Sequence, residues 1–259
     1  MMNRFVGIDS VKSVGSYRGW AVFWLDGADR FGFGVYATIE DVMSEFCDAS
    51  SILIDIPLGL PESREEEQQR PERELRRRLP GKAASVFNPP CRQAVYAGSK
   101  DEAKELNLRY LGKSLSEQSL GFAAKIREAD CFLYDNYHCV GRLRESHPEY
   151  AFALLNGGQP LVSQKKEPQG FMERHTVLAR STGCADAAVL ALQTRYPRVL
   201  LDDFLDAMVL AVVGRRGHEE GWETIPSEPV CDRRDIPMEI VGIRRAEGSA
   251  AGGKYGIII

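Results

Sequence analysis

The sequence has no stretch approaching the roughly 18–20 unbroken apolar residues that a membrane-spanning helix needs, so no membrane partner is expected. The opening residues, MMNRFVGIDS, hold no extended apolar region ahead of a cleavage site and read as a first strand rather than a secretion signal. The six cysteines (Cys47, Cys91, Cys131, Cys139, Cys184, Cys231) are scattered, with no C-x-x-C. That pattern argues against a zinc knuckle or disulfide framework and for reduced thiols in a cytoplasmic protein. Basic charge is not in excess either: Lys and Arg number 33 against 37 Asp and Glu, for a net charge of −4. Proteins that coat nucleic acid are usually basic. A nucleic-acid reading must therefore rest on local patches or a bound metal rather than on the overall field. There is also no internal repeat. What is present is ample for folding: 259 residues, 44% hydrophobic and 27% charged, suit one large α/β domain.

Three early runs, RFVGID (4–9), RGWAVFWLDG (18–27) and RFGFGVYAT (30–38), read as a β-meander, with Asp26-Gly27 as a hairpin signal. IEDVMSEFCDA (39–49) has helical spacing, and SILIDIPLGL (51–60) is too short for a helix and suits a buried parallel strand. A crossover would place that fourth strand beside the first. The charged stretch 61–82 reads as an exposed helix interrupted by Pro71, opening a helical insertion that runs to about 137. Residues 138–148 read as the fifth strand, and four helices and a short strand at 238–243 come after it. The glycine-rich tail from about 245 to 259 is expected to be mobile.

The acids carry the chemistry. Asp9 closes the first run and could be a simple turn former. Asp55 lies between Ile54 and Ile56 in an apolar strand, where an ionised carboxylate needs a partner. In LLDDFLDAMVLAVVG (200–214), Asp203 as N-cap and Asp206 three residues later could both serve helix amides. Yet Asp203, Asp206, Leu210 and Val213 share one stripe, so packing that stripe on a sheet aims Asp206 at the strand ends bearing Asp9 and Asp55. Glu145, after a strand-like alternation, is either a fourth member or a surface partner of Arg142 and Arg144. Gathered together, such acids would make a site for a hard cation, Mg²⁺ or Mn²⁺. Ions held that way can drive phosphodiester hydrolysis.

The stretches GIDS, RGW, DIPLGLPE, SVFNPP, GKSLSEQ, AAKIREAD, ESHPE and DDFLDA occur in this order between residues 7 and 207. The chain thereby resembles the ribonuclease H-like fold, especially its Holliday-junction-resolvase branch, and more narrowly the DUF429 family of predicted ribonuclease H-like nucleases. The resemblance implies a mixed five-stranded sheet of order 3-2-1-4-5 flanked by helices. It implies metal-binding acids at Asp9, Asp55 and Asp206, with Asp203 and Glu145 close by. The first loop, SVKSVGSYRGW, departs from the family pattern in having no second acid or cysteine before Arg18-Gly19-Trp20.

Lys125, Lys165 and Arg174 are candidate phosphate contacts, weighed against ordinary surface charge. His147 could orient water or act as a general acid, or make only a structural hydrogen bond. Arg73, Arg76, Arg77, Arg78 and Lys82 form a basic patch that neighbouring glutamates balance. Gly112-Lys113-Ser114 lacks the first glycine of a phosphate loop, since Asn107 stands there. Trp20 and Trp24 read as core. The expected function is Mg²⁺- or Mn²⁺-dependent cleavage of nucleic acid. The alternatives are hydrolysis or phosphotransfer on a small phosphorylated ligand, and a binding protein that keeps the fold. Oligomeric state is not legible.

Overall fold

Aromatic and β-branched residues build three consecutive strands, β1 (Arg4–Val14), β2 (Tyr17–Asp26) and β3 (Phe31–Tyr36), paired antiparallel. In this computed structural model residues 3–244 are described, and the tail expected to be mobile lies outside them. Helix α1 (Ile39–Glu45) starts at a reciprocal cap: Asp41 N donates to the Thr38 hydroxyl, and Thr38 N donates to the Asp41 carboxylate. The crossover through α1 lays β4 (Ser51–Ile54) parallel to β1, and β5 (Leu143–Glu145) lies parallel to β4. The sheet order is β3-β2-β1-β4-β5, as the resemblance implies.

Between β4 and β5 the regular elements are all helical: α2 (Arg64–Gln69), α3 (Glu72–Arg78), α4 (Arg92–Val95), α5 (Lys100–Leu111) and α6 (Glu117–Asp135), with short 3-10 turns. Pro71 separates α2 from α3. The expectation of an exposed, solvated helix here needs correcting, because Arg70, Glu72 and Leu75 are buried. The basic patch is also dispersed. Arg76 donates to Val86 O and Asn88, Arg78 pairs with Glu74 and Glu223, and Lys82 donates to Ser163 O. The fifth strand is shorter than expected, since Tyr137–Cys139 is 3-10 helix and only Leu143–Glu145 pairs with β4.

After β5 come α7 (Pro148–Leu155), α8 (Pro168–Ser181), α9 (Ala185–Arg195) and α10 (Leu201–Glu220). The chain then forms a separate antiparallel pair, β6 (Trp222–Ile225) and β7 (Ile240–Ile243). The sequence pattern predicts β7 but not β6. Among the described residues, no helix is long and apolar enough to cross a membrane.

Strand alternation sorts the core into two layers. Val6, Ile8, Ile52 and Ile54 pack with α1 and α6 on one face, together with Trp20. Phe5 and Leu53 pack with α10 on the other, and α7, α8 and α9 cover the far side of that helix. From Phe204 to Gly214 every residue of α10 is buried, so the helix is enclosed all round rather than along one stripe. At Gly7 it lies against the backbone of β1: a Cβ there would stand 1.9 Å from Ala207 O and 2.6 Å from Ala211 N.

The loop after β4 is held by buried ion pairs. Leu58 N donates to Glu145 Oε2 (2.8 Å), and Arg70 donates to Leu58 O (2.8 Å) and Gly59 O. Arg70 also pairs with Glu72 at 2.7 Å and Glu145 at 3.1 Å. Leu60 N donates to Asp232 (2.8 Å), which pairs with Arg92; Arg92 also engages Glu62 and Asp130.

Candidate functional site

β1, β4 and β5 run parallel, so the residues beyond their paired segments converge at one edge of the sheet. Asp55 N donates to Ile8 O and Ser146 N donates to Ile54 O, each at 3.0 Å, which brings the residues after β4 and β5 level with Asp9 on β1. Asp9 is not at the end of its strand, as the sequence suggested. It sits inside β1, paired with Ala21, just past the last β1–β4 pair, Ile8 with Ile54.

Alternation puts Asp9 on the face of β1 that α10 covers. On that face Gly7 touches Ala207 and Ala211, while Val11 packs with Leu200, Leu201 and Phe204. Asp9 therefore lies beneath the opening turns of α10, where Asp203 and Asp206 are buried. Asp55 shares the face of Leu53, against which α10 also packs. Capping does not account for the helix acids: α10 begins at Leu201 after a 3-10 turn, and its N-cap is Leu200, with no side-chain cap.

The carboxylates crowd one another. Burial, then the charges of Asp55, Asp206 and Asp203, push the Asp9 carboxyl well above the ordinary range, against the opposing pull of Lys165. Burial and Asp206 raise Asp55 to about 7, again opposed by Lys165, with Glu149 adding to the rise. Burial also raises Asp202. Lys165 Nζ lies 2.9 Å from Asp206 Oδ2. Asp206 chiefly, and also Asp9 and Asp55, hold Lys165 firmly protonated against the effect of burial. The loop before α8 positions it. Ser163 N and Oγ donate to Glu173 (3.0 and 2.7 Å), and Lys82 donates to Ser163 O (2.6 Å). Gly170 allows the tight return of this loop, since a Cβ there would meet Gln164 O at 1.9 Å.

The other sequence candidates divide. His147, the N-cap residue of α7, is part-buried, and burial lowers its pKa; Asp206 and Lys165 both act on it. Its Nε2 lies 3.5 Å from Ser85 O, and its buried Nδ1 has no hydrogen-bond partner among the described residues. Glu145 is not with the aspartates. It pairs across the ladder with Ile54 and so shares the opposite, α6-side face, where Arg70 and Leu58 N engage it. Lys125 is on that side too: it pairs with Glu128 at 3.0 Å and lies 4.1 Å from the ring of Trp20, a core residue. Arg174 is buried and bound to Glu149 and Gly170 O, so it is no exposed phosphate contact. Trp24 packs at the edge of the same core, as expected.

Glu149, the last residue of the ESHPE stretch, stands outside the candidates that the sequence marks. Its position just after Pro148, at the start of a helix next to a parallel strand, was the available signal. Two adjoining clefts of about 250 and 380 Å³ lie elsewhere, in the helical segment, and share Glu67, Asn88 and Lys113.

The chain matches the family model described as "Protein of unknown function (DUF429)" over residues 7–230. It is a member of the DUF429 family. Comparison with curated proteins and with solved structures gives no match. In this DUF429 chain the matched span takes in the whole acidic cluster, from Asp9 to Asp206.

As donors, these carboxylate oxygens suit a hard divalent cation, and their mutual repulsion is the condition such an ion relieves. Among the described residues no group of three or more His, Cys, Asp or Glu side chains stands ready to hold a metal ion. Lys165 pairs with Asp206, and its charge also reaches Asp9 and Asp55. Carboxylate oxygens are the donors that Mg²⁺ and Mn²⁺ take.

Proposed function

We propose that this DUF429 protein is an Mg²⁺- or Mn²⁺-dependent nuclease of the ribonuclease H-like kind, hydrolysing phosphodiester bonds in nucleic acid. One observation carries the reading: Asp55, Asp206 and Asp203 each raise the pKa of the buried Asp9 on β1, and Lys165 pairs with Asp206 among them. Asp9, Asp55 and Asp206 would hold the metal, and Asp203 would tune their charge. Bound there, divalent ions would activate water and stabilise a leaving oxygen. Lys165, the nearest cation, suits a phosphate oxygen once released from Asp206. His147, kept neutral near pH 7 by burial, has an Nδ1 without a partner among the described residues, and that atom can exchange a proton with water or substrate.

A second reading rests on depth. Asp9, Asp203 and Asp206 are each less than one-tenth exposed, which favours a compact phosphorylated ligand over a broad polyanion. One experiment separates the two. Purified protein with millimolar Mn²⁺ is offered single-stranded, duplex and branched DNA, RNA, mononucleotides and phosphomonoesters. Cleavage of a polymer is expected, with Asp9→Asn and Asp206→Asn each lowering the rate at least about 100-fold. Turnover of the small esters alone would favour the second reading. Absence of any cleavage, or unchanged rates in both variants, would sink the nuclease reading.

A further inference from the structure

Glu149 is the second residue of α7, and one of its oxygens is accounted for. Oε1 accepts a hydrogen bond from Arg174, whose side chain is 1% exposed. Arg174 is itself fixed: it donates to Gly170 O at 3.3 Å, and its guanidinium lies 5.3 Å from the centre of the Phe152 ring. The carboxylate is therefore aimed rather than free to swing. Its other oxygen, Oε2, is buried and accepts no hydrogen bond from the described residues. An acid that merely serves a helix dipole accepts from the first amides or faces water, and Oε2 does neither. A buried carboxylate oxygen left without a partner is unfavourable by itself. It calls for a cation or a proton at that point.

The Ser146 N to Ile54 O bond sets the start of α7 alongside Asp55. The charge of Glu149 is felt by both Asp55 and His147. Glu145, four residues earlier, faces the other side of the sheet and has its partners in Arg70 and Leu58 N.

We propose that Glu149 supplies a further carboxylate oxygen, Oε2, to the divalent-cation site, in the place that sequence spacing gave to Glu145, with Arg174 as its positioning residue. This rests on the metal-dependent reading and adds a ligand to it. Because Arg174 keeps Oε1, Glu149 offers the ion a single oxygen. Arg174 offsets its charge at Oε1, yet that charge still reaches Asp55, so a cation at Oε2 would relieve this repulsion as well.

The test is calorimetric titration of the full-length protein with Mn²⁺ alone, alongside thermal unfolding with and without the ion. Glu149→Gln should weaken Mn²⁺ binding at least about 10-fold and shrink the Mn²⁺-induced rise in Tm. Arg174→Lys, which keeps the charge but loses the fork, should weaken it by a smaller factor. Glu145→Gln should leave Mn²⁺ affinity within about twofold of wild type while lowering Tm in both conditions. If Glu149→Gln does not fold, Glu149→Asp replaces it: the charge is kept, the reach is shortened, and weakened Mn²⁺ binding is again the expected result. Wild-type protein that binds no Mn²⁺ at millimolar concentration overturns the metal reading itself. Wild type that binds, with a folded Glu149 variant that binds equally well, overturns the role of Glu149 and leaves the aspartate site standing.

Discussion

Around Arg70 and Arg92 the buried carboxylates Glu72, Glu145, Asp130 and Asp232 each touch a guanidinium. Beside β1 and the end of β4 the pattern differs. Asp206 touches Lys165, and among the described residues neither Asp9 nor Asp55 forms an ion pair. Both regions bury acids near the sheet, but on opposite faces. On the α6 side the forked donors of arginine close each acid into a fixed network that pins the loop after β4. On the α10 side acids are set beside acids, and each raises the pKa of its neighbours. The first arrangement is scaffold. The second holds like charges close enough that Asp55, Asp206 and Asp203 raise the pKa of Asp9.

The contrast can be broken most forcefully at Arg70. Arg70→Met would leave Glu72 and Glu145 buried against each other and free the carbonyls of Leu58 and Gly59. A loss of about 3–5 kcal/mol in urea unfolding is expected. Millimolar Mn²⁺ should not restore it, and recovery by Mn²⁺ would abolish the distinction between the two regions.

A smaller effect concerns pH. The Asp55 carboxyl rises from 3.8 to about 7 in the folded protein. A raised carboxyl contributes stability that is complete below its unfolded pKa and is lost as pH rises through the folded one. Metal-free protein should therefore lose stability between about pH 4 and pH 7, on the order of 2–4 kcal/mol from this group. Asp55→Asn should flatten that decline, and Mn²⁺ should oppose it at pH 7. Parallel curves for wild type and variant would show that Asp55 is not strained by its neighbours.

The smallest change is expected at Lys125, on the scaffold side. Lys125→Ala removes its contact with the Trp20 ring and its pair with Glu128. Stability should fall by no more than about 1 kcal/mol, with Mn²⁺ binding untouched. A marked loss of Mn²⁺ affinity in calorimetry would move Lys125 into the site after all.

Much of this was legible in the sequence, for local reasons. Alternation and β-branched residues mark β1 to β4, and an acid inside the apolar run of β4 is conspicuous wherever it points. Helical spacing brings Asp206 toward the sheet. The misplacements share a cause: they turn on partners far along the chain. Glu145 and Glu149 lie within one motif, and a strand of three residues puts Glu145 with Arg70 while the helix after it puts Glu149 with Arg174. Composition does not mark the end of so short a strand. Arg174 looked like surface charge because the acid that buries it stands 25 residues earlier. β6 escaped notice because its pairing with β7 spans a loop with no hairpin signal.

The missing side chain at Gly7 has a mechanical meaning. Helix and strand meet there backbone to backbone, so α10 can neither slide along β1 nor tilt without a collision. The spacing of Asp9 and Asp206 is thus set by main chain meeting main chain, and any side chain at position 7 would push the two acids apart.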